Sequence, residues 1–135
     1  MTPLEIFHRM FDNDPFSRWM GMELVSVGPG ACTLRMAVRE EMLNGFGVAH
    51  GGITFSLADS AFAFACNSHG LQAVSVHCTI EHVAPVRAGD VLTAAATEEI
   101  LGNSLSNYAI RVERADGTPV AFFRGMAYRK KREWT

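Results

Sequence analysis

A single carboxylate in an apolar segment is the first feature of this sequence that could do chemistry. Between Gly51 and Asn67 the chain reads GGITFSLADSAFAFACN, and Asp59 is its one charged side chain. The stretch from Ile53 to Asn67 lacks Gly and Pro and is rich in Ala and Phe, which predicts a helix of about four turns. A carboxylate there is costly unless it is paired, solvated or needed. Burial would raise its pKa towards the range of a general base, but a structural hydrogen-bond acceptor explains Asp59 equally well at this point.

Apolar residues surround Asp59 on every side of this helix. They are Ile53, Phe55, Leu57, Ala58, Ala61, Phe62, Phe64 and Ala65. A helix that is apolar all round is expected to be buried all round, so a strongly curved sheet or a partner subunit must cover it.

Gly51 supplies a second candidate group, at the start of the same helix. The first N–H groups of a helix have no intrahelical partner and lie at the positive end of its dipole, and a glycine lets a ligand carbonyl come close. Gly51 and Asp59 are eight residues apart, a rise of about 12 Å. Two antiparallel copies of the helix could place Gly51 of one opposite Asp59 of the other, which predicts a dimer with shared sites. The alternative explanation of His50-Gly51-Gly52 is a glycine hinge for close helix packing.

The loop before this helix holds two further polar candidates. Asn44 and His50 could orient a carbonyl or a water molecule. Taken singly, each is also explained as a residue that caps a loop or helix.

The elements that must position these groups are a short helix and six strands. Pro3 to Phe11 has helical apolar spacing, with Thr2 as N-cap, and Asp12 to Pro15 is expected to break the helix. The predicted strands are 22–27, 31–38, 73–84, 90–101, 104–113 and 120–128, and a basic tail from Arg129 to Arg132 is expected to be solvated. This order predicts an α+β fold in which one helix packs against a single sheet.

Composition limits the classes of protein that fit. A chain of 135 residues is expected to form one domain, residues 1–135. A net charge of −2 gives no strong attraction to nucleic acid or to an anionic membrane. The three cysteines Cys32, Cys66 and Cys78 have no zinc-site spacing, which favours a reducing compartment. Since the N-terminus carries charges and no apolar run could span a bilayer, we expect a cytoplasmic protein.

Other catalytic motifs are missing from the sequence. It contains no G-x-S-x-G nucleophile elbow, no G-x-G-x-x-G and no P-loop. His77 and His82 are five residues apart on a predicted strand, so they point to opposite faces and make poor joint metal ligands. No metal site is expected.

Three segments together resemble the hotdog-fold acyl-CoA thioesterases, in particular the phenylacetate-degradation branch. They are MLNG at 42–45, HGG at 50–52 with LAD at 57–59, and AFAFACNS at 61–68. The strand CTIE at 78–81 and the segments AGD at 88–90 and FFRG at 122–125 continue the likeness. It implies a hotdog fold, with a long central helix wrapped by a curved antiparallel sheet of five to six strands. It also implies dimers, commonly paired into tetramers, with the active site at the dimer interface.

The resemblance assigns roles to four candidate catalytic residues. The Gly51 N–H would polarise a thioester carbonyl, and Asp59 of the partner subunit would act as nucleophile or as base on water. Asn44 and His50 would position the reacting groups. Ser75 matches a serine that orients water in some relatives.

The same resemblance implies an acyl-CoA substrate, with coenzyme A as part of the substrate and no separate cofactor. Candidate substrate-binding residues are Gly52, Phe55, Ser75, Arg87, Arg124 and Lys130, the cations being suited to the coenzyme A phosphates. An acyl pocket could be lined by Trp19, Phe46, Phe55 and Phe62, although these aromatics could also be plain core. The expected reaction is hydrolysis of phenylacetyl-CoA, hydroxyphenylacetyl-CoA or a similar medium-sized thioester. The alternatives are a hydratase or dehydratase that uses His50 with Asp59, and a non-catalytic acyl-CoA-binding module.

Overall fold

One long helix lies against a six-stranded antiparallel sheet in the computed structural model, which describes residues 1–135. The helices are α1 (Pro3–Phe11), α2 (Pro15–Trp19) and α3 (Gly51–Asn67), with a 3-10 turn at Glu40–Met42. The strands are β1 (Glu23–Gly28), β2 (Ala31–Ala37), β3 (Leu71–His82), β4 (Val91–Leu101), β5 (Leu105–Arg114) and β6 (Pro119–Glu133). The strand order is β1-β2-β4-β5-β6-β3. The predicted α+β class, the long helix and the single sheet are confirmed.

The N-terminal region contains one helix more than the sequence predicted. Helix α1 has the predicted bounds, and the Thr2 side chain accepts the Glu5 N–H as its N-cap. The expected break at Asp12 to Pro15 ends α1 but also starts α2. Asp14 accepts the Ser17 N–H, and Pro15 occupies the first helical position, where its missing N–H costs nothing.

The predicted strand end at Tyr128 is wrong, because Arg129 to Arg132 continue β6. Lys130, Lys131 and Arg132 are nevertheless exposed, as expected. Arg129 pairs with Ala73 of β3, and its guanidinium donates to the Gly102 carbonyl at 2.8 Å. Beyond the strand, the Trp134 indole donates to the Asn67 side chain at 2.9 Å. Pairing of β6 with β3 therefore extends the strand through a segment that its charge alone predicted to be a tail.

The packed side of α3 fits closely against the sheet. Phe62 is 1% exposed and lies edge-on to Tyr108. A Cβ added to Gly125 would lie 2.6 Å from the Phe62 ring, so only glycine allows this approach. Phe62 is thus a core residue, and its suggested place in an acyl pocket is wrong.

One side of α3 is not covered within the chain, so the sheet alone does not bury the helix all round, and a partner subunit is the other cover that the sequence predicted. Gly52 is exposed, and Ser56, Asp59 and Ala63 are half-buried. We call these four residues the uncovered stripe. Their spacing of three and four residues places them on one helix face, and a single sheet can wrap only the opposite side.

Strand β3 forms one end of the sheet. It pairs only with β6, so its second edge has free backbone N–H and C=O groups. No helix in the structure combines the length and hydrophobicity that crossing a bilayer requires.

Candidate active site

The first turn of α3 presents a free backbone donor. His50 is the N-cap, and its Nδ1 accepts the Gly52 N–H at 2.9 Å. The Ile53 N–H donates to the His50 carbonyl. The Gly51 N–H has no acceptor within the chain, so it can bind an oxygen atom of a ligand.

An open cleft of about 440 Å³ adjoins Gly51 on one side of this turn. Its polar lining residues are Asn44, Thr54 and His82, and we call it the Gly51 cleft. The Asn44 side chain accepts the Phe46 N–H at 2.9 Å and so shapes the loop that forms one wall.

A second cleft, of about 360 Å³, lies on the other side of the same turn. Glu41, His50, Gly52 and Ser56 line it together with apolar side chains, and we call it the His50 cleft. The apolar members are Phe16, Trp19, Met20, Met42, Leu43 and Ile53. Because Nδ1 of His50 accepts a hydrogen bond, the neutral ring carries its proton on Nε2 and can donate from there. Asn44 and His50 therefore line different clefts of the chain.

Asp59 lies half-buried on the uncovered stripe, and neither cleft includes it. Its carboxylate has no hydrogen bond or ion pair within the chain. Burial raises the pKa of this carboxyl above its usual value. Burial also raises the pKa of the Cys66 thiol to about 12, and the negative charge of Asp59 adds to that rise. Burial also raises the pKa of the Cys78 thiol on β3, and the negative charge of Asp59 adds to it.

Ser75 is an exposed residue of β3. Its hydroxyl contacts the Cys78 thiol at 3.1 Å. Ser60, next to the acid in sequence, contacts the Ser17 hydroxyl at 2.8 Å. Ser60 thus links α3 to α2.

The remaining predicted substrate contacts fall in different places. Phe55 is half-buried and packs edge-on against Phe123. Arg124 forms an ion pair with Glu99. Arg87 and Lys130 are exposed and form no ion pair. Among the other suggested aromatics, Trp19 lines the His50 cleft at 60% exposure, whereas Phe46 is 93% exposed on its loop.

Sequence reasoning missed Thr54 and His82 as members of the site. His82 was considered only as a joint metal ligand with His77, and the structure places the two rings in different pockets. Only the register of β3 beside the first turn of α3 brings His82 to Gly51. No local sequence signal contains that register.

The chain matches known proteins along most of its length. A family model described as "Thioesterase superfamily" matches residues 46–121. The chain is 43% identical over 122 residues to the acyl-coenzyme A thioesterase PaaI of Escherichia coli K12, which covers 90% of this chain and 87% of that protein. It is 37% identical over 95 residues to human acyl-coenzyme A thioesterase 13, which covers 67% of this chain and 68% of that protein.

The fold matches a solved structure equally well. The E. coli PaaI protein from the phenylacetic acid degradation operon superposes with a TM-score of 0.96 at 40% sequence identity. The match covers 98% of this chain and 96% of that one. The hotdog fold expected from the resemblance is therefore confirmed.

Proposed function

The chain belongs to the thioesterase superfamily, and we propose that it hydrolyses acyl-CoA thioesters whose acyl group is of the phenylacetyl or hydroxyphenylacetyl type. Hydrolysis of acyl-CoA accords with the relatives named as acyl-coenzyme A thioesterases. The aryl-acyl preference follows from the similarity to a protein of the phenylacetic acid degradation operon.

The observation that carries the proposal is the free N–H of Gly51 at the edge of an open cleft. As water adds to a thioester carbonyl, negative charge develops on the carbonyl oxygen. A fixed backbone donor at the positive end of a helix stabilises that charge without reorganising. Gly51 is thus the proposed oxyanion donor.

We propose that the acid comes from a second copy of the chain. Gly51 and Asp59 are about 12 Å apart along one helix, too far to serve one reacting carbon. Asp59 lies on the uncovered stripe of α3, α3 packs against β3, and β3 has a free edge. Pairing of two β3 edges would continue the sheet and bring the two stripes together.

The proposed reaction uses one water molecule and only groups of the protein. In one route Asp59 of the partner subunit removes a proton from water, the water oxygen bonds to the carbonyl carbon, and the C–S bond breaks, which releases the acid and the thiolate of coenzyme A. The proton on Asp59 then passes to the thiolate or to solvent. In the other route the Asp59 carboxylate attacks the carbonyl carbon, the C–S bond breaks and the thiolate leaves, and water then hydrolyses the acyl–aspartyl anhydride to release the acid and restore Asp59. Asn44 and His50 would position the carbonyl and the water from the two sides of the turn, and Ser75 would orient the water near Asp59.

The His50 cleft is the proposed site of the aryl-acyl group. Its aromatic members Phe16 and Trp19 are exposed, which suits stacking against a ligand ring. The exposed cations Arg87 and Lys130 are available for the coenzyme A phosphates, whereas Glu99 already neutralises Arg124.

We further propose a cytoplasmic tetramer of two dimers. Leu105 and Tyr128 lie opposite each other on β5 and β6, and each is more than two-fifths exposed on the outer face of the sheet, an apolar surface that association of dimers would bury. The three cysteines are free thiols, and free thiols persist in a reducing compartment such as the cytoplasm.

The hydratase alternative needs His50 as a base beside Asp59. Nδ1 of His50 already accepts the Gly52 N–H, so the neutral ring presents an Nε2–H donor and no free lone pair to a substrate. Hydrolysis therefore remains the better-supported reaction. It also explains why the chain keeps an unpaired carboxylate, whereas a module that only binds acyl-CoA would not need one.

The test is release of free thiol from a panel of aryl-acyl and aliphatic acyl-CoAs of matched size. We expect phenylacetyl-CoA and hydroxyphenylacetyl-CoA to be hydrolysed with the highest kcat/KM. Equal rates for butyryl-CoA or hexanoyl-CoA would contradict the proposed acyl preference. Saturable binding without thiol release would contradict the proposed hydrolysis.

A further inference from the structure

His82 lies directly over the first residue of α3. A Cβ added to Gly51 would be 3.3 Å from Nε2 of His82, so the ring and the free Gly51 N–H belong to the same corner of the Gly51 cleft. The other ring nitrogen, Nδ1, is 3.2 Å from the Thr54 hydroxyl. Thr54 is 3% exposed, and its hydroxyl is 3.1 Å from the Gly51 carbonyl.

These contacts fix which ring nitrogen carries the proton. A carbonyl oxygen can only accept, so the Thr54 hydroxyl donates to Gly51. Its oxygen is then left to accept from Nδ1–H of His82. The neutral ring therefore presents an Nε2 lone pair, an acceptor, to the cleft.

We propose that His82 binds the pantetheine arm of the substrate, with Nε2 accepting a hydrogen bond from the amide N–H nearest the thioester. This inference rests on the proposed function. A thioester group has no hydrogen-bond donor of its own, and that amide N–H is the first donor on the coenzyme A side, two methylene groups beyond the sulfur. When the carbonyl oxygen accepts a hydrogen bond from the Gly51 N–H, the pantetheine arm extends from the reacting carbon past the His82 ring, which lies over Gly51.

Thr54 is the positioning residue for His82. Its buried hydroxyl joins the ring to the helix backbone, so the acceptor is held at a fixed place before substrate arrives. A ring held in this way loses little conformational freedom on binding. His82 therefore contributes to recognition of the coenzyme A arm, whatever the acyl group.

The test compares two small thioesters that carry the same acyl group. One is the N-acetylcysteamine thioester, which keeps the amide N–H. The other has an ester oxygen in place of that N–H. For the wild-type chain we expect kcat/KM to favour the amide compound by about five- to tenfold, the value of one hydrogen bond. The ratio within each variant does not depend on how much of that variant is folded.

Variants at two positions separate the roles of the two ring nitrogens. His82→Asn keeps a donor for Thr54 but has no group at Nε2, so the preference should fall to about onefold. His82→Gln can place an amide oxygen near Nε2 and should restore part of it. Thr54→Val should weaken the preference, and Thr54→Ser should keep it.

Three outcomes would overturn the inference. One is an unchanged amide preference in His82→Asn. Another is a wild-type chain that hydrolyses both compounds with equal kcat/KM, which would mean that no group of the cleft binds the amide N–H. If the wild-type chain hydrolyses neither these compounds nor any acyl-CoA, the proposed function itself fails, and the inference fails with it.

Discussion

Asp59→Asn is expected to lower kcat/KM for acyl-CoA hydrolysis by about 10²–10⁴-fold, the usual contribution of a positioned acid or base. Asparagine has the same shape but can neither attack the carbonyl nor accept a proton from water. Substrate affinity should change little, because the proposed binding groups lie elsewhere. Thiol release and a direct measurement of acyl-CoA binding separate the two effects.

The same substitution should not weaken the fold at neutral pH. Burial raises the pKa of Asp59 in the folded chain, so the ionised carboxylate is less favourable folded than unfolded. The ionised form therefore lowers the free energy of unfolding in full above the folded pKa. This cost shrinks as the pH falls from the folded pKa to the unfolded-state pKa, and it is absent below the unfolded-state pKa. Asp59→Asn should equal or exceed the wild type in stability at pH 7 and lose any advantage in acid.

Ser60→Ala is the matched control on the same helix. It removes the contact with Ser17, so it should reduce stability slightly and leave turnover intact. A large loss of stability in Asp59→Asn, parallel to its loss of activity, would make Asp59 a structural residue.

Gly51→Pro should cost about 10²–10³-fold in kcat, the effect of removing one oxyanion donor. Proline is tolerated at the first position of a helix, so the substitution deletes the N–H at a favourable place. His50 has φ −59° and ψ 138°, a conformation that a following proline accepts.

Gly51→Ala is the control that distinguishes the effect of losing the N–H from the effect of the added side-chain atoms. Both variants place a Cβ 3.3 Å from His82, but only alanine keeps the donor. We expect Gly51→Ala to retain much more kcat than Gly51→Pro. Equal losses would mean that crowding, and not the N–H, limits the reaction.

Local patterns in the sequence were sufficient for most of the elements. The alternation of Cys32, Leu34 and Met36 predicted the buried face of β2, and these residues are at most 1% exposed. Thr2 and the spacing up to Phe11 gave the bounds of α1. In both cases neighbours in sequence decide the structure.

The predictions from the sequence were wrong where contacts between residues far apart in the chain determine the structure. Arg129 is part of β6 because it pairs with Ala73 of β3. The positive charge of the segment around Arg129 could not predict this pairing. The sequence showed that α3 is apolar all round, but it could not show that the sheet covers one side only. The uncovered stripe is a property of the assembled fold.

The residues of the candidate site also fall into those that local sequence identifies and those that only the fold brings together. Gly51 and Asp59 could be chosen from the sequence because a glycine at a helix start and a lone carboxylate are visible there. Their roles stay predictions, as do those of Asn44 and His50. The sequence could not place Asn44 and His50 on opposite sides of one turn, or His82 over Gly51. These positions depend on how the loop before α3 and the end of β3 pack against the first turn of α3.

The central claim is that each site combines Gly51 of one copy with Asp59 of its partner. The most direct test is to co-express Gly51→Pro and Asp59→Asn chains with different tags and to purify the mixed dimer. Each variant alone should be nearly inactive, whereas a mixed dimer regains one intact site of two, about half the wild-type activity per dimer. Mixed dimers as inactive as either parent would contradict a shared site and place the whole reaction within one chain.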